Sequence, residues 1–219
     1  MRLVVKDKIV KSAVLLFIIF GVACNCSNKQ TEKELKPLPF YGEFDVVGSD
    51  TTYHPIPKFS MLNQDSVFIS DEQFKGKIVV ADFFFTTCPS ICPVISAQMA
   101  RLQDLIKKEK LEDQVKLLSH TVDPLHDTPS ALKQYGKKMG ADFNTWTFVT
   151  ADPDYMYWQA QKGYQLTAFP SDTAQGGFFH TDKVVLLDQE MKIRGYYDGT
   201  STKSMDQLFI DLHQLTIKK

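Results

Sequence analysis

The chain carries no cationic stripe. Lys and Arg number 25 against 26 Asp and Glu, so its 219 residues have a formal charge of −1, with charged residues making up 23%. Without clustered lysines and arginines there is no electrostatic footprint for a phosphate backbone, and nucleic acid drops out as a partner. An apolar run long enough to cross a bilayer is also missing. The run at residues 13–23 falls well short of the about 20 residues that a spanning helix needs. There is no internal repeat, and no acid–base pair points to hydrolysis. Cysteine is scarce, with four in all, at positions 24, 26, 88 and 92. The length suits one α/β domain with a sizeable core better than two small ones.

What is present begins with MRLVVKDKIVKSAVLLFIIFGVACNC. Arg2, Lys6, Lys8 and Lys11 form a positive region, followed by an apolar stretch of signal-peptide length. Val22 and Ala23 stand directly before Cys24, which resembles a bacterial lipoprotein signal, where the cysteine becomes the lipidated first residue of the mature chain. Gly21 stands where such signals usually carry Leu. An ordinary cleaved signal or a short uncleaved anchor is the alternative, and every version exports the domain. The expected organisation is an export signal at 1–24, a polar tether and N-terminal extension at 25–56, and a folded domain at 57–219. The domain is then held on the periplasmic side of a membrane by its N-terminal anchor. That compartment is oxidising, so Cys88 and Cys92 pair unless something reduces or metallates them.

Residues 59–62 and 66–69, joined by Asn63, Gln64 and Asp65, suggest a hairpin. The run KIVVADFFF, 77–85, is apolar and rich in β-branched and aromatic residues, the pattern of a strand buried on both faces and expected to be the central one. Ile95, Met99, Leu102 and Ile106 then recur at helical spacing. A strand at 115–122 precedes a helix opened by Thr128 as N-cap and Pro129, with Gly140 as its stop. A strand at 145–150, a helix at 153–162, a hairpin of 184–187 with 193–197, and a last helix carrying Met205, Leu208, Phe209, Leu212 and Leu215 on one face complete the pattern. The expected fold class is α/β: a thioredoxin-like fold whose mixed central β-sheet is flanked by helices.

The stretch TTCPSICPVI, 86–95, places two cysteines four apart just beyond the first long strand, where open α/β sheets bind ligands. Pro93 is tolerated only in a helix's first turn, so Cys92 sits at or near a helix N-terminus. The positive end of the helix dipole favours a thiolate there, and both sulfurs are expected to be reactive. A disulfide closing so short a loop stabilises little. A redox dithiol and a metal-ligand pair both remain open at this point. Thr86, Thr87 and Cys88 do not reproduce the TxxC spacing of peroxiredoxins.

Three segments in order carry a more specific resemblance. DFFFTTCPSICPVISAQM looks like the copper-binding motif of the Sco/SenC family, exported proteins that help assemble the copper centre of cytochrome c oxidase. VDPLHDTPSALKQYGKKMG, 122–140, is similar to the family's VDP…DTP stretch. FHTDKVVLLD, 179–188, matches the place where the family has its ligand histidine ahead of a strand. The resemblance covers residues 57–215.

It implies a copper ion, Cu(I) or Cu(II), held by Cys88, Cys92 and His180. Two thiolates and one imidazole suit copper, although the set does not exclude zinc. Of the other histidines, His54 and His213 read as surface or packing residues and His120 as a satisfied strand residue. His126 lies in the loop after the second strand, at the cysteines' end of the sheet, but occupies a variable place of the family pattern. Phe179 stands where family members often have Asp. Asp123 matches the VDP aspartate and is expected either near the metal or as a turn or helix-approach cap. The implied partner is the copper-site subunit of cytochrome c oxidase, with another copper carrier or a thiol reductant upstream. Two functions share these residues: a copper metallochaperone, or a thiol–disulfide oxidoreductase that keeps the subunit's cysteines reduced through the Cys88–Cys92 dithiol.

Overall fold

The computed structural model describes residues 36–174 and 176–217, except for the side chain of His180. Cys24, and with it the export signal, lies outside the described residues. Strand β5 (Ile78–Phe84) is buried at all seven positions, as its unbroken apolar run requires. It pairs in parallel with β6 (Val115–Thr121), from Ile78↔Val115 through Phe84↔Thr121. On its other side it pairs antiparallel with β10 (Lys183–Leu187).

The large sheet runs β11-β10-β5-β6-β7-β3-β4. Its other members are β11 (Ile193–Asp198), β7 (Trp146–Thr150), β3 (Ser60–Asn63) and β4 (Phe68–Ser70). The middle place therefore belongs to β6 and not, as expected, to β5. The reason is that the β3–β4 hairpin adds to the free edge of β7, through Leu62↔Thr150. Among the described residues, four α-helices accompany the sheet: α1 (Cys92–Lys108), α2 (Pro129–Lys138), α3 (Pro153–Trp158) and α4 (Thr202–Ile217). Helix α3 runs on into a π-helical turn at Gln159–Gly163.

Local chemistry sets the helix boundaries. The Thr128 hydroxyl accepts the Ala131 N–H at 3.3 Å, with Pro129 as the first helical residue of α2. The helix ends at Lys138, and Gly140 turns the chain away at φ +75°. Close packing comes from Gly136, where a Cβ would lie 2.6 Å from Phe143 and 2.9 Å from Phe148, so only glycine lets α2 settle this near β7. Under the sheet, Trp146 donates its indole N–H to Ser119 Oγ at 2.8 Å, and Ser119 donates to Asp82 at 2.5 Å. Burial pushes the Asp82 carboxyl up to about 7.

Two hairpins have no counterpart among the expected elements. Strands β1 (Phe44–Val47) and β2 (Asp50–Tyr53) pair antiparallel and are almost wholly exposed, so no alternation of apolar and polar residues marks them. Strands β8 (Ala168–Pro170) and β9 (Phe178–His180) are three residues each, too short to show a period. Residues 38–41, within the expected N-terminal extension, lie against β11. Tyr41 donates its N–H to the Ile193 carbonyl at 2.9 Å. The Arg194 guanidinium bonds Asp188 at 3.1 Å and the carbonyls of Pro39 and Leu38 at 3.0 and 2.5 Å, and it stacks 3.9 Å from the Phe40 ring centroid.

Removing one partner of a buried ion pair leaves the other charge uncompensated. Arg194→Ala is therefore expected to cost about 3 kcal/mol or more in urea unfolding. Arg194→Lys should recover little of it, since one ammonium cannot reach the carboxylate and both carbonyls in the guanidinium's planar geometry.

Candidate functional site

The β5–β6 ladder delivers the cysteine loop to the carboxyl end of the parallel strands. Beyond Phe84 the chain turns through Thr86 and Thr87, and the Cys88 N–H closes the turn on the Phe85 carbonyl at 3.2 Å. Cys92 opens α1, with Pro93 in the first turn and both the Val94 and Ile95 N–H groups on the Ile91 carbonyl at 3.0 Å. A hydrogen bond joins the sulfurs of Cys88 and Cys92. Both sulfurs are enclosed, for Cys88 is 7% exposed and Cys92 1%, and both belong to the hydrophobic core.

A second loop braces the first. The buried Asp127 carboxylate accepts the Thr86 N–H at 3.1 Å, the Thr86 hydroxyl, and the Thr121 hydroxyl at 2.5 Å. Asp123 has a different partner. Its carboxylate meets Nδ1 of the exposed His126 at 2.8 Å, and the contact raises the His126 pKa. Of the aspartates in the DPLHD segment, the one bonded to the cysteine loop is thus Asp127, which sequence reasoning missed. Its signal was in view, since two aspartates four apart in a turn present two carboxylates to the same sheet end.

The β8–β9 hairpin lies on the cysteine loop from the other side. The Phe178 and Phe85 ring centroids are 5.3 Å apart. Gly176, at φ +85°, comes so near that a Cβ there would stand 2.7 Å from the Phe85 ring and 3.4 Å from Pro89. His180 ends β9, paired with Ala168, and lies just before β10. Its backbone therefore follows the predicted course, into a strand antiparallel to β5. Phe169 and Phe179 stack at 5.5 Å and remain about half exposed. Among the described side chains no three His, Cys, Asp or Glu gather about one point, and the His180 side chain lies outside that set.

The remaining histidines take structural roles. His120 is buried in β6, stacked 4.7 Å from Phe83, and burial lowers its pKa to about 4. His54 pairs with Asp45 at 2.9 Å in the N-terminal hairpin region, and His213 is exposed on α4.

Residues 48–216 match the SCO1/SenC family model. The chain belongs to the SCO1/SenC family. Its fold is the thioredoxin-like one of solved Sco structures. A SCO1/SenC family lipoprotein from Bacillus anthracis str. Ames is 30% identical, with a TM-score of 0.69 over 74% of this chain and 95% of that one. BsSco, described with a disulfide switch and as a member of the Sco family of cytochrome c oxidase assembly proteins, is 28% identical, with a TM-score of 0.67 over 76% and 95%. ScoI of Bradyrhizobium japonicum with copper bound is 21% identical, with a TM-score of 0.61 over 74% and 98%, a likeness of fold alone.

In this SCO1/SenC chain the two thiols are unequal. Burial pushes Cys88 up, but hydrogen bonds from the Cys92 thiol, the Ser90 and Cys92 backbone N–H groups and the Ser90 hydroxyl outweigh it and bring it below the usual thiol range. Burial pushes Cys92 far above that range, and its thiol hydrogen bond to Cys88 adds to the shift. The expectation that the helix terminus would activate Cys92 is thus corrected. The N–H at the start of α1 serves the sulfur of Cys88 instead, while desolvation overrides the dipole at Cys92. Reduced protein treated with limiting iodoacetamide at pH 7 is expected to be modified at Cys88 first. Peptide mass mapping checks this, and equal labelling of the two would contradict the asymmetry.

Proposed function

We propose that this protein is a copper metallochaperone. Cys88 and Cys92, with His180 as third ligand, hold copper as cargo and pass it to the copper-site subunit of cytochrome c oxidase. The observation that carries the reading is the seat of Gly176 and Phe178 on Phe85 and Pro89, which brings the strand bearing His180 onto the loop bearing Cys88. Those three residues would supply two sulfurs and one imidazole nitrogen, a soft set suited to Cu(I) and able to hold Cu(II). The description of BsSco supports the oxidase as destination. The lipoprotein from Bacillus anthracis supports Cys24 as a lipid-bearing anchor that places the domain at a membrane surface.

The inequality of the thiols favours one second reading, a thiol–disulfide reductant. Cys88, the more acidic sulfur, would attack a disulfide of the oxidase subunit and form a mixed disulfide. Cys92 would then displace the subunit's thiol, leaving Cys88–Cys92 oxidised and the subunit reduced by two electrons and two protons. The disulfide switch of BsSco supports this use of the pair.

Copper titration separates the two. Cu(II) bound through thiolate should show an intense sulfur-to-copper charge-transfer band. His180→Ala is expected to weaken binding by about 10-fold or more and to alter the band, on the scale of losing one metal ligand's support. Cys88→Ser and Cys92→Ser should abolish both, and His126→Ala should change neither. Wild-type binding of both copper states by His180→Ala would overturn the ligand assignment. For the anchor, Cys24→Ser should release the protein from the membrane fraction or leave it unprocessed, since one lipidated cysteine carries enough acyl chain for stable attachment. Unchanged membrane association would reject lipidation.

A further inference from the structure

We propose that Asp127 is the positioning residue of the dithiol: it holds Thr86, and through Thr86 it sets how readily Cys88 and Cys92 pair. The inference rests on Cys88 and Cys92 being the working pair of the function proposed above, but not on copper.

The β5–β6 register ends at Phe84↔Thr121, and the Val122 N–H on the Phe84 carbonyl, at 2.8 Å, extends it by one bond. Two residues past Phe84, both donors of Thr86 turn to one carboxylate. Oδ2 of Asp127 takes the Thr86 N–H and the Thr121 hydroxyl, and Oδ1 takes the Thr86 hydroxyl. A planar side chain with two polar atoms can meet such a pair of groups from one residue.

The acceptor itself is firmly based. His126 and Asp127 donate their N–H groups to the Asp123 carbonyl at 3.1 and 2.8 Å, making a tight turn. Thr128 follows at once as the N-cap of α2. A chain of constraint therefore runs from the start of α2 through Asp127 to Thr86, and then over two residues to Cys88. The carboxylate is fully buried and, among the described residues, forms no ion pair. Burying such a group without a cation is costly for stability alone. Its return is geometric, a cysteine loop fixed at its first turn.

The dithiol–disulfide equilibrium with glutathione reads that geometry directly. Glutathione disulfide takes two electrons and two protons from the thiols of Cys88 and Cys92, giving two glutathione thiols and the Cys88–Cys92 disulfide. A loosened loop lowers the effective concentration of one sulfur for the other. Asp127→Ala is expected to make disulfide formation at least about tenfold less favourable, a shift of about 30 mV. Asp127→Asn should stay within about twofold of wild type. Its carbonyl takes the Thr86 N–H and the Thr121 hydroxyl, and its amide donates to the Thr86 hydroxyl, which can rotate to accept. The fold is monitored by far-UV circular dichroism.

A folded Asp127→Ala with the wild-type equilibrium overturns the proposal, because a purely structural role moves the melting temperature and not the potential. Equal shifts in Asp127→Asn and Asp127→Ala also overturn it, since they would place the effect in the charge. Should Asp127→Ala fail to fold, Thr86→Val decides. It keeps the N–H bond and loses the hydroxyl bond, so a shift of about threefold in the same direction supports the proposal, on the scale of one modest hydrogen bond, and no shift rejects it. Copper binding takes no part in the measurement, so a failure of the metallochaperone reading leaves this test intact, and the reverse holds too.

Discussion

The parallel pairing of β5 with β6 is the constraint on which the site depends. The register from Ile78↔Val115 to Phe84↔Thr121 brings two loops out of the same end of the sheet, one with Cys88 and one with Asp123 and Asp127. Side chains alternate along a strand, so a slip of one residue would turn every buried side chain of β5 to the opposite face. It would also carry Thr86 away from Asp127. The buried polar series Asp82–Ser119–Trp146 crosses β5, β6 and β7 and ties the three strands to one register. Apolar burial supplies most of the stability of such a sheet, and polar contacts of this kind single out one arrangement among those that bury similar area.

At the end of that sheet the decisive competition is between desolvation and hydrogen bonding. Both cysteines lie in the core, and burial alone would make both poor thiolates. Cys88 escapes because donors converge on it from Ser90 and from Cys92, whose N–H opens α1. Cys92 is itself the donor and stays protonated. One sulfur prepared as nucleophile or ligand beside one held in reserve is a useful pair for exchange chemistry, because the held sulfur does not compete until the first has reacted. Under the proposed function the same inequality would serve copper exchange, in which ligands leave one at a time.

Most of the large sheet was legible in the sequence because its strands are long and buried or its helices are capped. The apolar run at 78–84, Thr128–Pro129 at the start of α2 and the face through Met205, Leu208 and Leu212 all follow directly from burial and capping. The position of β6 at the centre was not legible, since strand order is a long-range property that periodicity does not carry. The β8–β9 hairpin escaped for a related reason. Three residues cannot show a period, and what holds the hairpin is contact of Phe178 and Gly176 with Phe85, 93 and 91 residues away in sequence. Cys88 and Cys92 were picked out by their spacing and their place at the sheet end, His180 by resemblance, and the bracing of the cysteine loop by Asp127 by neither. Asp123 attracted notice as the motif's first aspartate, yet it bonds His126, and the fourth residue after it reaches the cysteine loop.

Placing the dithiol and His180 on different elements has a physical consequence. The cysteines belong to the β5–α1 connection, which is locked to the core, whereas His180 belongs to a hairpin of two three-residue strands that stand outside the large sheet. Short two-stranded hairpins are marginal by themselves, so this one draws its order from the packing of Phe178 and Gly176 on Phe85 and Pro89. Under the proposed function, a ligand set divided in this way would let one part remain fixed while the other opens at modest cost. The fixed part would retain the two sulfur positions, and the hairpin would govern when the third is offered. If the protein binds an ion and then gives it up, as proposed, a dithiol locked to the core and a third ligand on a separate hairpin would suit that task better than three ligands built into one core.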